Sequence, residues 1–427
     1  MEEPTSSFRS LNSEAKPAMT RRQFVEGTMA AAVAAPSLGA VSAFGAEAAA
    51  PKASPPAISR KIKTGLIGYG GRGSWITSFF QKHGGFHFHA VAEYFPEIAE
   101  QAGNALGIDK SRRFSGLSGY KRLIDSGVEA VVIEDIPCFY PEQAKAAVEA
   151  GCHVYVAKPV AIDVPGCLSI QASVRLATEK RRCFLVDYQF PTQPANIEVA
   201  NRIRQGGLGK LAHIHSYGLD SAGAPPPKGP SLESRFRGQT LTGDIALGGD
   251  VLLFFDIHII DGVTWVTGKR PVAAFGQSRI CRPAANGDRI DLSSVVYQYD
   301  DGVVWNHVTN SLPNNCDFTQ LTASFFGTQA TAHMQYWAGK VYVRGGPKHY
   351  VAEIVSIFDD GVARNVAEFY RNITEGHFEN PTARRAVDGT LAAILGREAA
   401  ARGRGLTMEE VIRENKKLEV DLTGLRA

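Results

Sequence analysis

Cysteine is scarce in this 427-residue chain, six in all. Cys138, Cys152, Cys167, Cys183, Cys281 and Cys316 form no C-x-x-C pair and stand at no spacing from His that suits a metal. That excludes a zinc finger or ribbon and gives no disulfide framework to read; free thiols and no metal are the expectation. An excess of one sign of charge is also missing, since 46 Lys and Arg against 43 Asp and Glu leave a formal net charge of +3. Nothing in that balance calls for nucleic acid or an anionic membrane as partner. Beyond residue 60 no apolar run approaches the length of a membrane span, and no repeat or low-complexity tract appears. What remains is a chain that is 44% hydrophobic and 21% charged, globular in composition and too long for one small core. Two folded domains are expected.

The most informative stretch is Gly68-Tyr69-Gly70-Gly71-Arg72-Gly73. A strand-like run, Lys61 to Ile67, precedes it. A helix-like run, Ser74 to His83, follows, with Trp75, Ile76, Phe79 and Phe80 on its buried side. The spacing is G-x-G-x-x-G: one Gly for the tight turn, one for backbone approach to a pyrophosphate, one for close helix–strand packing. A helix N-terminus then offers N–H groups and partial positive charge to the phosphates. A second apolar run, Phe86 to Ala92, ends in Glu93, about 20 residues past the last Gly, where a ribose diol is held. Glu93-Tyr94 supplies no Arg for a 2′-phosphate, which favours NAD; Arg72 inside the loop leaves NADP open.

Residues 1–60 read as separate from the fold. Thr20-Arg21-Arg22-Gln23-Phe24-Val25 is a twin-arginine pattern, followed by an Ala-rich apolar stretch from Met29 to about Phe44 and small residues near Ala46 and Ala48. Ala49 to Ser59 has the composition of a linker. The expectation is export through the twin-arginine translocase to a periplasmic or secreted location, folded and carrying a tightly held nucleotide. Met19 is an alternative start.

From Glu93 onward, helix and strand patterns alternate: helices over 96–106 and 119–125, a strand over 128–133, a helix over 142–150 and a strand over 153–156. This argues for a parallel sheet covered on both faces, closing with a strand over 184–190. After residue 210 the period drops towards two, over 211–217, 272–280, 293–299, 303–308, 322–327, 330–336 and 340–343, which predicts a largely antiparallel sheet. Helices are expected over 196–205, 358–375 and 382–402, and the cap pattern at Thr407 starts a last short one. The loop 220–242, with Pro225-Pro226-Pro227, is long enough for a lid or an oligomer contact. The fold class is therefore α/β: a doubly wound Rossmann sheet over 61–190, then an α+β domain with an open, largely antiparallel sheet over 191–427.

Where the strand 153–156 runs into Ala157-Lys158-Pro159, the chain resembles the glucose–fructose oxidoreductase, inositol dehydrogenase and rhizopine-catabolism family (Gfo/Idh/MocA). The resemblance runs from about Lys61 to the end of the sequence. It implies an NAD(P)-dependent enzyme acting on a sugar or polyol, with the sheet face as substrate wall, a homo-oligomer, and Lys158 beside the nicotinamide. The family's usual Glu before that Lys is Ala157 here. Tyr140 stands where many relatives place a His lining the nicotinamide, and Gln189 matches a recurrent position at the domain junction. Independently of the family, a Lys between an apolar strand and a Pro at the sheet's carboxyl end is placed for a cleft, where desolvation lowers its pKa.

Read as one helix, Gly248 to Asp261 puts Asp250, Phe254 and His258 on one face at i, i+4 and i+8. His258 matches the family's His. Phe254 replaces the acid that relatives carry four residues before it. Asp250 matches an acid of exported relatives, though its place after two glycines also suits a helix N-cap. Lys158, His258 and Asp250 are thus the expected catalytic residues. Gly68, Gly70, Gly71, Arg72, Gly73, Glu93, Tyr140, Lys158 and Gln189 are the expected cofactor contacts. The expected chemistry is hydride transfer at a secondary hydroxyl. The resemblance also admits an NAD-dependent glycosidase working through transient oxidation at C3, or a binding protein without chemistry.

Overall fold

The structure is a computed structural model that describes residues 58–427 apart from 221–226, 228, 230, 238–239, 313–319 and 356, with backbone alone at 240–241. The twin-arginine segment, Cys316 and the Pro225-Pro226 part of the expected lid lie outside the described residues.

A first sheet is laid down by alternation of strand and helix. The elements are β1 (Ile62–Ile67), α1 (Gly71–His83), β2 (Phe86–Glu93), α2 (Pro96–Leu106), β3 (Arg113–Ser115) and α3 (Gly119–Asp125). Then come β4 (Ala130–Ile133), α4 (Tyr140–Glu149), β5 (His153–Val156), α5 (Val164–Glu179) and β6 (Phe184–Val186). All pairs are parallel, in the order β3-β2-β1-β4-β5-β6. β4 and β5 are buried at every residue because helices cover both faces, so their sequences run apolar instead of alternating. The order reverses between β1 and β4, and ligands bind at the carboxyl ends of strands beside such a switch point.

Two features of this half differ from the expectation. β3 is only Arg-Phe-Ser, too short to carry a period, and is not among the expected strands, so the one expected over 128–133 is the fourth of the sheet, Ala130–Ile133. Trp75 is half-buried: its ring stacks on Phe358 at 4.3 Å and its Nε1 donates to Asp359. A helix from the far end of the chain therefore braces α1.

The second half continues with α6 (Pro194–Arg204), β7 (Leu211–Leu219), the one-turn α7 (Leu232–Arg235), α8 (Ile245–Gly248) and α9 (Val251–Phe254), then α10 (Ile257–Thr267). β8 (Ala273–Arg279), β9 (Leu292–Gln298), β10 (Val304–Asn310), β11 (Gln320–Gly327), β12 (Thr331–Gln335), β13 (Gly339–Arg344) and β14 (Tyr350–Ile354) follow. The chain ends with α11 (Phe358–Glu375), α12 (Pro381–Arg402), β15 (Leu406–Thr407) and α13 (Met408–Glu414), the last started by a Thr407–Glu410 capping box. The sheet runs β14-β13-β12-β11-β7-β10-β9-β8-β15, antiparallel except for the parallel pair β7–β10. Along β9 every second residue is buried, which is the alternation of a sheet covered on one face.

α12 fills the inner side, touching α5, β6, α10, β8 and β9. Its glycines permit that: a Cβ at Gly396 would overlap the Tyr297 hydroxyl. Residues 415–427 then return over the first sheet. Leu418 N–H donates to Asp163, Leu117 N–H donates to the Arg426 carbonyl, and Arg426 N–H donates to the Tyr94 hydroxyl. Val420 and Leu425 pack beside Tyr94, Phe95 and Ile136.

Asn380 ties α12 to the first sheet. It is 4% exposed with φ of +58°, and its amide accepts from Phe184 N–H at 2.7 Å and donates to Thr178 and the Arg182 carbonyl at 3.1 Å. Asn380→Ala leaves a buried backbone N–H and a carbonyl unpaired, and is expected to cost about 2 kcal/mol or more. The check is denaturant unfolding; a midpoint equal to wild type would contradict this role.

Candidate active site

The glycine loop opens the site. Gly68 has φ of +87°, and a Cβ there would meet the Glu134 carbonyl at 2.7 Å. A Cβ at Gly73 would overlap the Gly68 carbonyl, so this glycine lets α1 pack onto the turn. Gly70 and Gly71 are different: no atom lies within 4 Å of the position of an added Cβ. Their lack of side chains relieves no internal contact. It keeps open the space in front of α1, whose N-terminus has no side-chain cap and so leaves first-turn N–H groups for an anion. Glu93 Oε2 accepts from Tyr69 N–H at 2.7 Å and Oε1 from Tyr94 N–H at 2.9 Å, which fixes the carboxylate at the end of β2. Burial, with the Asp135 carboxyl nearby, pushes its pKa up to about 7.

Arg72 is engaged by two other acids. Its guanidinium pairs with Glu134 at 2.9 Å and with Asp187, the residues that follow β4 and β6. Burial opposes its charge, but those two carboxylates outweigh it and hold the pKa above the usual value. The contact with Glu134 lacks hydrogen-bond alignment, so both Glu134 oxygens are buried without a donor. Burial first, and Asp187 as a like charge, raise Glu134 to about 8 against the pull of Arg72. An arginine so engaged does not serve a 2′-phosphate, and the residues present fit NAD.

Lys158 lies next to this cluster. Its Nζ donates to the Phe254 carbonyl at 2.5 Å and sits 5.2 Å from the Phe254 ring centroid. Burial and the Arg72 charge lower its pKa to about 7, with Asp187 and Glu134 opposing. His258 is buried, with Nδ1 unpartnered and its ring 4.7 Å from that of Tyr336. Burial, then the charges of Lys158 and Arg72, hold its pKa well below the ordinary value, so the imidazole is neutral. Gln189 joins the parts: it donates to Asp187 at 2.8 Å and accepts from the Tyr336 hydroxyl at 2.9 Å. Asn365 donates to the other Asp187 oxygen at 2.7 Å.

Asp250 does not belong to this group. The expected continuous helix is two, α9 and α10, broken at Phe255-Asp256, so the i, i+4, i+8 face does not form. Asp250 is the N-cap of α9 with φ of +98°. Burial raises its pKa to about 7, and the charges acting on it are Arg397 and Arg289, while those acting on His258 are Lys158 and Arg72. Tyr140 is 3% exposed and its hydroxyl donates to the Asp135 carbonyl, the behaviour of a packing aromatic. Asp261 is a structural acceptor, paired with Arg385 at 2.8 Å.

Glu134, Asp187, Tyr336 and Asn365 were not among the expected site residues. The two acids carried a usable signal, since each directly follows an apolar strand at the carboxyl edge. Tyr336 and Asn365 carried none, because only the fold brings them to Gln189 and Asp187.

Residues 62–188 match the oxidoreductase family with an NAD-binding Rossmann fold. A relative in Shewanella sp. (strain ANA-3), named glycosyl hydrolase family 109 protein 2, is 28% identical over 205 residues, 45% of this chain and 44% of that protein. The chain thus matches less than half the length of that relative. Levoglucosan dehydrogenase, solved in complex with NADH, superposes with a TM-score of 0.67 at 18% identity over 82% of this chain and 99% of that one. Aldose-aldose oxidoreductase from Caulobacter crescentus superposes with a TM-score of 0.64 at 19% identity over 82% of this chain and 100% of that one. These structures share the fold.

The glycine geometry separates two variants. Gly71→Ala is expected to unfold at the wild-type temperature yet bind NAD roughly tenfold more weakly, about 1.4 kcal/mol. Gly73→Ala is expected to lose thermal stability as well. Calorimetric melting and NAD titration check both, and undiminished affinity in Gly71→Ala would remove the pyrophosphate from this space.

Proposed function

We propose, from the match of residues 62–188 to the Gfo/Idh/MocA oxidoreductases with an NAD-binding Rossmann fold, that the chain is an NAD-dependent oxidoreductase for a secondary hydroxyl of a sugar or polyol. The observation that carries the reading is the meeting of a partly neutralised amine, Lys158, with a neutral imidazole, His258, at the carboxyl edge of the first sheet. NAD, when bound, supplies the hydride acceptor at the carbinol carbon. His258 takes the hydroxyl proton on its free nitrogen lone pair as the carbonyl forms, and returns it in the reverse direction. Lys158, as ammonium, donates a hydrogen bond to the substrate oxygen and orients it. Gln189 and Asn365 hold Asp187, and Asp187 with Glu134 holds Arg72, so the charge beside Lys158 stays fixed. The names of the structural neighbours, which include sugar and inositol dehydrogenases, support the substrate class.

The relatives named glycosyl hydrolase family 109 favour a second reading, redox-neutral cleavage of a glycoside through transient oxidation. The same Lys158 and His258 would serve it, with no net change in NAD. In both readings the nucleotide is retained, in keeping with a chain exported through the twin-arginine route to a compartment poor in free NAD. Asp250 is proposed as a structural cap instead of a catalytic acid.

The test is incubation of the NAD-loaded protein with free sugars, polyols and nitrophenyl glycosides. Net NADH formation identifies the oxidoreductase and nitrophenol release without NADH the glycosidase; neither, across the panel, contradicts both. Lys158→Ala is expected to lose at least about 100-fold in turnover with NAD still bound. Because Lys158 acts as the ammonium and its pKa is lowered to about 7, turnover is expected to be full below that pH and to fall as pH rises through it. An unchanged rate between pH 6 and 9 would contradict the role.

A further inference from the structure

The break between α9 and α10 does more than end a helix. In an unbroken helix the Phe254 carbonyl would accept from His258 N–H. Here His258 N–H turns to the Phe255 carbonyl at 3.4 Å, Asp256 N–H reaches back to the Val251 carbonyl at 3.1 Å, and the freed Phe254 carbonyl accepts from Lys158. Asp256, fully buried at the break, does not cap α10 with its side chain. Its carboxylate crosses to the second sheet instead. Oδ2 accepts from Thr309 and lies 2.9 Å from His307 Nε2, while His307 Nδ1 lies 2.7 Å from the Ser216 hydroxyl, which accepts from Trp305 Nε1 at 2.7 Å. One assignment satisfies the whole row: Trp305 donates to Ser216, Ser216 to His307 Nδ1, and His307 Nε2–H to Asp256; the tautomer is inferred from these partners. The row has the composition of a nucleophilic triad, yet Ser216 and His307 are fully buried, so no substrate reaches it. Gly218 completes the arrangement, because a Cβ there would overlap Asp256 Oδ1.

We propose that Asp256, locked to β7 and β10 through His307, Thr309 and the space left by Gly218, is a positioning residue: it holds the break open so that the Phe254 carbonyl, in place of a side-chain carboxylate, receives the Lys158 ammonium. A carbonyl oxygen supplies a hydrogen-bond acceptor without a full negative charge. Lys158 is thereby oriented while its pKa stays low. The inference rests on Lys158 being a site group, as in the function proposed above. The other charged or titratable groups facing Lys158 are Arg72 from α1, Glu134 and Asp187 after β4 and β6, and His258 from α10. None of them is altered in the variants below.

The test does not need turnover. Lysines are reductively methylated with 13C in the NAD-loaded protein, the Lys158 signal is assigned by its loss in Lys158→Arg, and its titration is followed by NMR. Gly218→Ala and His307→Leu remove the lock, so the ammonium loses its acceptor and the Lys158 midpoint is expected to fall by about half a pH unit or more. His307→Gln keeps a donor to Asp256 and is expected to restore the wild-type midpoint. A midpoint that stays or rises in both locking variants, each folded by circular dichroism, overturns the proposal. The wild-type protein gives a readout without substitution: the 13C signal of the Phe254 carbonyl is expected to follow the Lys158 titration, and a signal flat through that range also overturns it. A protein that oxidises no sugar but passes these measurements would refute the function and leave the positioning role standing.

Discussion

A half-buried ammonium beside a half-buried guanidinium is the constraint on which the rest of this structure turns. Lys158 and Arg72 repel one another, and burial alone disfavours both charges. The fold answers with two acids, Glu134 and Asp187, delivered from the ends of β4 and β6 to the side of Arg72. Arg72 keeps its charge and Lys158 is left poised. Removing one member of such a group leaves the others without their partner, a cost of up to about 3–5 kcal/mol for a fully buried pair, which is not a net stabilisation by the cluster. The same edge lies beside the glycine turn proposed to seat the nucleotide.

The second half of the chain supplies what the first sheet cannot. Tyr336 enters from the end of β12 to bind Gln189, Asn365 enters from α11 to bind Asp187, and α10 carries His258. α12 packs α10 on one side and α5 on the other, with Gly389 against the backbone of Asp261 at 3.3 Å for an added Cβ. The segment after α13 lies over the loops that follow β2 and β3, beside Tyr94 and Leu117. Elements of the second half thus meet the carboxyl edge of the first sheet, where Asn365 and Gln189 fix Asp187.

Much of this was legible in residues alone, and the exceptions have physical reasons. The glycine loop and Glu93 could be picked out because local spacing dictates their geometry: a strand, a turn needing φ near +87° at Gly68, and a helix start. Lys158 and His258 stand out chiefly through the family resemblance. Asp250 misled because helical periodicity assumes an unbroken helix, and the partner that Asp256 meets at the break, His307 on β10, is distant in sequence. Arg72 read as a possible phosphate ligand because its partners, Glu134 and Asp187, lie far off in sequence. β3 escaped because three residues have no period. Boundaries elsewhere moved by a residue or two, as at Pro194 and Leu219, where caps and ladder ends decide.

The central claim is that a nicotinamide lies against Lys158 and His258 and exchanges hydride with a carbinol there. Deuterium placed on the carbinol carbons of a mixed panel of sugars and polyols tests this most directly, with mass spectrometry of the nucleotide released afterwards from the NAD-loaded protein. The account predicts deuterium in the nicotinamide ring for at least one sugar, in wild type and not in Lys158→Ala. A nucleotide that remains unlabelled with every sugar, or a protein that binds no NAD at all, would contradict it.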